Sequence, residues 1–366
     1  MRFHAPYMEW AKARLPPRFD LAISNVLPCT IDELPGARDA LGLTGENENG
    51  YAPLIEAIAA RYGVALSQVT TAQGTSGANF LVCAALLEPG DDVLVERPGY
   101  DPLLGAPRLM GANVVRFERR FENGFALDPD AVARAMTPRT RLIVLSSPHN
   151  PTGAVADSAA LTAVGEIAWA GGAHILVDEV YLDATIASSG AAAHAGGVRP
   201  AAGLGEVFLS TSSLTKSYGL SGLRCGWILS SPALAERLRR ARDVVDGTGS
   251  IVTERLGTVA FEHLDRLIAR ATSLLATNGR LAREFLRSRG DLEWLDPAGG
   301  TVVFPRLRDG GDTSEFARRL LAERGTAIVP GRFFEAPAHF RLGFGGATDA
   351  LKGGLHALGA ALDERR

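Results

Sequence analysis

Lysine is almost missing from this chain of 366 residues: of 38 basic residues, only Lys12, Lys216 and Lys352 are lysines. The others are arginine, whose guanidinium stays protonated and cannot form an imine. Side-chain amine chemistry therefore has three possible seats. Cysteine is scarce too. Cys29, Cys83 and Cys225 are odd in number and widely spaced, which excludes a disulfide framework and a zinc pattern. No run approaches the roughly 20 apolar residues that a membrane span needs; residues 80–87 read instead as part of a buried helix. The first ten residues hold no apolar signal-peptide core, so a cytoplasmic location is expected. The formal net charge of −3 leaves no basic field for nucleic acid. Repeats and low-complexity linkers are absent, and the histidines show no metal-ligand spacing.

What remains is an ordinary globular composition, with 46% apolar and 22% charged residues, long enough for one large domain and a smaller one. Short, continuous apolar runs at 92–96, 141–145, 175–177 and 207–209 read as strands buried on both faces. Helical stretches at 131–136 and 158–169 fall between them, the second opening after Asp157 as its N-cap. This alternation predicts an α/β fold with a mostly parallel central sheet flanked by helices. Beyond residue 235 the pattern turns helical, at 233–243 and in one long segment over 253–288. A smaller α+β portion follows, with strands near 302–305 and 339–344. The proline-rich first forty-odd residues are expected to pack against it. The division expected is a large domain over 46–250 and a small one built from 1–45 and 251–366.

Ligands of open α/β sheets bind beyond the carboxyl ends of the strands. Here one strand runs into Ser146-Ser147-Pro148-His149-Asn150-Pro151-Thr152-Gly153, the next into Asp178-Glu179-Val180-Tyr181, and the third toward Ser213-Leu214-Thr215-Lys216. An amide, a carboxylate with a phenol, and an amine thus meet at one edge. Of the three lysines, only Lys216 sits among hydroxyls and glycines after an apolar strand. Gln73-Gly74-Thr75-Ser76-Gly77-Ala78-Asn79 precedes an apolar helix, so its free N–H groups can face an anion.

The order and spacing resemble the class I/II aminotransferases, the aspartate-aminotransferase-like pyridoxal-phosphate enzymes of fold type I. Asp178 follows Asn150 by 28 residues, Tyr181 follows Asp178 by three, Lys216 follows Asp178 by 38, and Arg224 follows Lys216 by eight. The resemblance spans about residues 22–344 and is most specific over 213–227. It implies pyridoxal 5′-phosphate held as a Schiff base on Lys216, which then shuttles a proton. Asp178 resembles the partner of the ring nitrogen, Asn150 and Tyr181 those of the phenolic oxygen, and Tyr100 the aromatic stacked on the ring. Gly74, Thr75, Ser76, Ser213 and Arg224 match the phosphate site. Tyr51 matches the tyrosine that reaches the neighbouring subunit's phosphate, which implies a homodimer with shared sites. Arg341, in Phe340-Arg341-Leu342-Gly343-Phe344, matches the arginine for the substrate α-carboxylate. The implied substrates are an amino acid and a 2-oxo acid.

Departures from the family's pattern lie near the N-terminus. Residues 21–29 lack a Gly-Glu-Pro type sequence, so side-chain selection is not carried over; Asn25, with Val26, is the candidate for substrate contact. No arginine stands out as a second carboxylate clamp. Pro148-His149-Asn150-Pro151 also resembles carbon–sulfur β-lyases of the same fold, which share every cofactor contact above, although His149 is expected to be a satisfied loop histidine. A cofactor-binding regulator would append a basic DNA-binding region, and the residues before Tyr51 contain proline-rich turns instead.

Overall fold

The computed structural model describes residues 4–189 and 199–365; His194 lies outside them. Its centre is a seven-stranded sheet built from β1 (Val69–Gln73), β2 (Asp92–Arg97), β3 (Asn113–Glu118), β4 (Thr140–Ser146), β5 (His174–Asp178), β6 (Phe208–Ser213) and β7 (Cys225–Leu229). The order is β1-β7-β6-β5-β4-β2-β3. Only β7 is antiparallel to its neighbours; the pairs from β6 across to β3 are parallel. The fold is thus the mostly parallel α/β type, with helices on both faces.

The continuous apolar strands explain this layering. In β4, Leu142 and Val144 point to a core shared with Leu81, Val82 and Leu86. Ile143 and Leu145 point to the opposite core, with Leu161, Val164 and Ala168. Alternate side chains of one strand therefore serve two layers. The helix Ser158–Gly171 opens where expected, because Asp157 accepts the Ala160 N–H at 2.7 Å.

Three expected elements differ in extent. The strand expected at 207–209 starts one residue later and runs through the hydroxyl residues to Ser213. These hydroxyls are buried but bonded: Thr211 donates to Asn79, and Ser210 accepts the Ala202 N–H. Polar residues so satisfied do not end a strand. The segment 253–288 is two helices, Ile251–Glu262 and Leu264–Arg287, parted at His263. Its ring Nε2 lies 3.1 Å from the Pro35 carbonyl, a tertiary contact no local pattern announces. The run 302–305 pairs only through Val303 and then turns, so that Arg306–Leu307 joins a different strand, Leu292–Glu293.

The segment 19–21 packs on the C-terminal portion. Phe19–Asp20 pairs in parallel with Thr326–Ala327, and the Gly343 N–H donates to the Leu21 carbonyl at 2.7 Å. Before it lies α1 (Pro6–Ala13), held by Tyr7 packing on Tyr100, Phe333 and Phe334. No helix among the described residues is long and apolar enough to cross a membrane.

Candidate active site

A cavity of about 420 Å³ opens at the carboxyl ends of β4, β5 and β6. It is bordered by Thr75, Ser76, Tyr100, Asn150, Asp178, Tyr181, Lys216 and Arg224, together with residues not foreseen from the sequence, among them Met8, Lys12, Ser24 and Leu103. Ser146 and Asp178 are the last residues of their strands, and Lys216 lies three residues beyond β6, in a short loop. The strand register therefore brings the three motifs to one edge.

Lys216 is half-buried and donates to the Ser24 hydroxyl at 3.0 Å. Burial, helped by the Arg341 charge and opposed by Asp178, pulls its ammonium down to about 8. A sizeable fraction of neutral amine is thus present near neutral pH. Asp178 accepts from the Asn79 amide at 2.9 Å and from the Val180 N–H at 3.2 Å. Burial still raises its carboxyl above the ordinary range, so a cation at this position would stabilise the charged form. Asn79, on the helix α2 (Gly74–Leu86), is fixed in turn by Thr211, which donates to its Oδ1 at 2.6 Å. The sequence contains Asn79 in the glycine-rich stretch, but nothing local marks it as the partner of Asp178.

The first turn of α2 forms the other end. Gly74 has φ +66°, open to glycine and strained for other residues. A Cβ at Gly226 would stand 2.6 Å from the Gly74 carbonyl carbon. Thr75 donates to Ser213 at 2.8 Å, and Ser213 touches the Thr215 hydroxyl. Ser213 is wholly buried and supports this turn rather than bordering the cavity. Arg224 borders it with φ +54° and has no acidic partner among the described residues.

Tyr181 is 3% exposed, its hydroxyl lacks a well-formed hydrogen bond, and burial pushes it up to about 12. Arg341 is fully buried. It donates to Asn150 Oδ1 at 2.9 Å, to the Tyr7 hydroxyl at 2.8 Å and to the Ala22 carbonyl at 3.1 Å, while its Nε has no partner. Beneath it, the Asn150 N–H donates to Ser146 Oγ, Ser146 donates to Glu96, and Glu96 pairs with the buried Arg119 at 2.8 Å. His149 is spent on this scaffold. Its Nε2–H donates to the Pro98 carbonyl at 2.9 Å and its Nδ1 accepts from Thr152 at 2.7 Å. Burial and the Arg119 charge hold it neutral.

Two expected residues stand elsewhere. Asn25 does not border the cavity, because its amide donates to the neighbouring Val26 carbonyl; Ser24 occupies that place. Tyr51 lies outside its own chain's cavity, with its N–H on Glu254 and its ring under Arg255. Among the described residues, no group of three or more His, Cys, Asp or Glu side chains could hold a metal ion.

The arrangement suits one kind of ligand. A partly neutral amine, a buried carboxyl, a phenol without a well-formed hydrogen bond and an anion seat whose guanidinium has no acidic partner among the described residues fit pyridoxal 5′-phosphate. The family model Aminotransferase class I and II matches residues 26–358. The chain is 34% identical to capreomycidine synthase of Streptomyces vinaceus, covering 98% of this chain and 93% of that protein. It is 33% identical to the arginine–pyruvate transaminase of Pseudomonas aeruginosa over 75% and 70% of the two chains. A PLP-dependent aminotransferase from Streptococcus suis superposes with a TM-score of 0.90, at 27% identity, covering 100% of this chain and 99% of that one. With its fold, its cavity and these relatives in agreement, the chain belongs to the class I and II aminotransferases, pyridoxal-phosphate enzymes of fold type I.

Proposed function

We propose that this protein moves an amino group between an amino acid and a 2-oxo acid in the cavity around Lys216. One observation carries the reading: Lys216, half-buried in the cavity and with its ammonium drawn down to about 8, stands beside Asp178 and within reach of Ser24. Lys216 would hold the cofactor and, once released by the donor, carry a proton from the substrate Cα. When bound, the cofactor supplies an electron sink for the pair left at that carbon. Asp178 would face the ring nitrogen, steadied by Asn79, and Tyr181 with Asn150 would meet the phenolic oxygen. Gly74, Thr75, Ser76 and Arg224 form the phosphate seat in this reading, with Ser213 holding Thr75 from behind, and Tyr100 covers the ring. Arg341, aimed by Asn150 and Tyr7, would bind the α-carboxylate and so fix which Cα bond is broken. Tyr51, turned away from its own cavity, supports a homodimer in which it completes the partner's site.

Mixing cofactor-loaded protein with an amino donor and no acceptor tests this reading. The visible spectrum should change in one half-reaction and return when a 2-oxo acid is added. Lys216→Ala should abolish both changes. A second reading, elimination rather than transfer, draws on the resemblance of Pro148-His149-Asn150-Pro151 to carbon–sulfur β-lyases. It requires release of pyruvate and ammonia from cystathionine without any acceptor. His149 lends that reading no support, since both ring nitrogens are engaged by the scaffold.

A further inference from the structure

We propose that Lys12, on the N-terminal helix α1, selects substrates bearing a second, distal carboxylate; this rests on the reading of the Lys216 cavity as an amino-donor site. Met8 and Lys12 are one helical turn apart, so their side chains share a face, and both border the cavity. Met8 is fixed by the Tyr100 hydroxyl, 3.6 Å from its sulfur. The helix is further tied by the Tyr7 N–H on Asp101 at 3.3 Å and by the Tyr7 hydroxyl on Arg341. Lys12 is exposed and stands at the rim, with no hydrogen bond or ion pair among the described residues.

The charges of the cavity are unbalanced in one direction. Lys12, Lys216 and Arg224 are its cations, and Asp178 is its one acid. In the proposed function Asp178, Lys216 and Arg224 are all committed to the cofactor, and Arg341 to the α-carboxylate. Lys12 alone is left over, and nothing anionic borders the cavity beside it. Of the neighbouring acids, Asp20 pairs with Arg14 and Asp101 accepts from Tyr7, while the exposed Glu9 lies 3.4 Å from His4. A side chain that carries a carboxylate would find an unpaired ammonium at the rim. A guanidinium or ammonium side chain would find repulsion and no acceptor carboxylate. Met8 and Leu103, which border the same cavity, offer apolar surface to the methylenes of a dicarboxylic amino acid. The selectivity inferred here thus runs opposite to the basic donor in the name of the arginine–pyruvate transaminase.

The test uses holoenzyme and the variants Lys12→Gln and Lys12→Glu. Half-reactions with glutamate, aspartate, alanine and arginine give the ratio of kcat/KM for each dicarboxylic donor to that for alanine. An exposed ion pair supports about a fivefold change in this ratio. The ratio should fall about that far in Lys12→Gln and further in Lys12→Glu, with arginine gaining relative to glutamate. In parallel, calorimetry compares glutarate with butyrate binding, which needs no turnover. Glutarate should bind the parent more tightly than butyrate, and Lys12→Gln should erase the difference. Unchanged ratios together with equal glutarate affinity in parent and variant overturn the proposal, as does an arginine preference in the parent. Should no donor alter the spectrum, the transamination reading fails, while the glutarate comparison still decides the role of Lys12.

Discussion

The depressed ammonium of Lys216 can be measured directly, because so few lysines compete with it. Competitive acetylation of the cofactor-free protein between pH 6 and 11, followed by mass spectrometry, gives each amine its own reactivity profile, with an unstructured lysine peptide as internal standard. For an amine at about 8, roughly one molecule in ten is neutral at pH 7, against about one in 2,500 at an ordinary lysine value near 10.4. Reactivity of Lys216 should therefore rise about tenfold per pH unit and level off near pH 8. The standard keeps rising for two further units. Burial supplies most of the shift and Arg341 the next part, so Arg341→Met should move the plateau to higher pH. Asp178→Asn should move it lower, since the carboxylate now favours the charged form. The same shift has a sign in stability. The folded protein releases this proton below the pH at which the unfolded chain does, so stability should rise between about pH 8 and 10.5, by about 3 kcal/mol in all. A Lys216 profile that follows the peptide up to its own midpoint would refute the argument for a partly neutral amine.

Other perturbations reach different parts of the site. Arg119→Met strands the Glu96 carboxylate in a fully buried place and should cost about 3–5 kcal/mol in urea unfolding; adding Glu96→Gln should recover much of the loss. Gly226→Ala drives a methyl group against the Gly74 backbone, and an overpacking strain of about 1–3 kcal/mol should loosen cofactor retention in equilibrium dialysis about tenfold or more. Arg341→Met removes the buried fork beside Asn150 and should lower kcat/KM for every α-amino acid donor by about a hundredfold, judged from the cost of truncating a buried charge partner. An amine without a carboxylate should be far less affected, which steady-state kinetics with both donors will reveal.

The large sheet was legible because its strands are buried on both faces and so write themselves as apolar runs between helical stretches. The edges of elements were less so. Strand β6 continues through Ser210, Thr211, Ser212 and Ser213, and only the tertiary partners of those hydroxyls explain why they remain extended. The break at His263 likewise depends on a carbonyl more than 200 residues away. In the cavity, the groups around Lys216 were readable because each strand end carries two or three of them within a few residues. Fixed order along the chain then did the rest.

The wall that meets the substrate is built on another principle. Tyr7 reaches Arg341 across 334 residues, and Thr301 donates to the Ser24 carbonyl across 277, so no window of sequence shows these contacts. Lys12 illustrates the consequence. Judged by its neighbours in sequence it is a solvated lysine on an opening amphipathic segment; judged by its neighbours in space it borders the cavity that holds Lys216. The two groups of residues are also held differently. Asp178 ends a strand locked by a ladder on both sides, and Asn150, four residues past the end of β4, is supported from below by a buried chain from Arg119 through Glu96 and Ser146. Met8 and Lys12 ride on an eight-residue helix fastened mainly by aromatic packing of Tyr7. Substitutions on that helix can alter which side chain is accepted without disturbing the ladder or the buried ion pair. This separation gives a physical reason why one cofactor frame can serve different substrates.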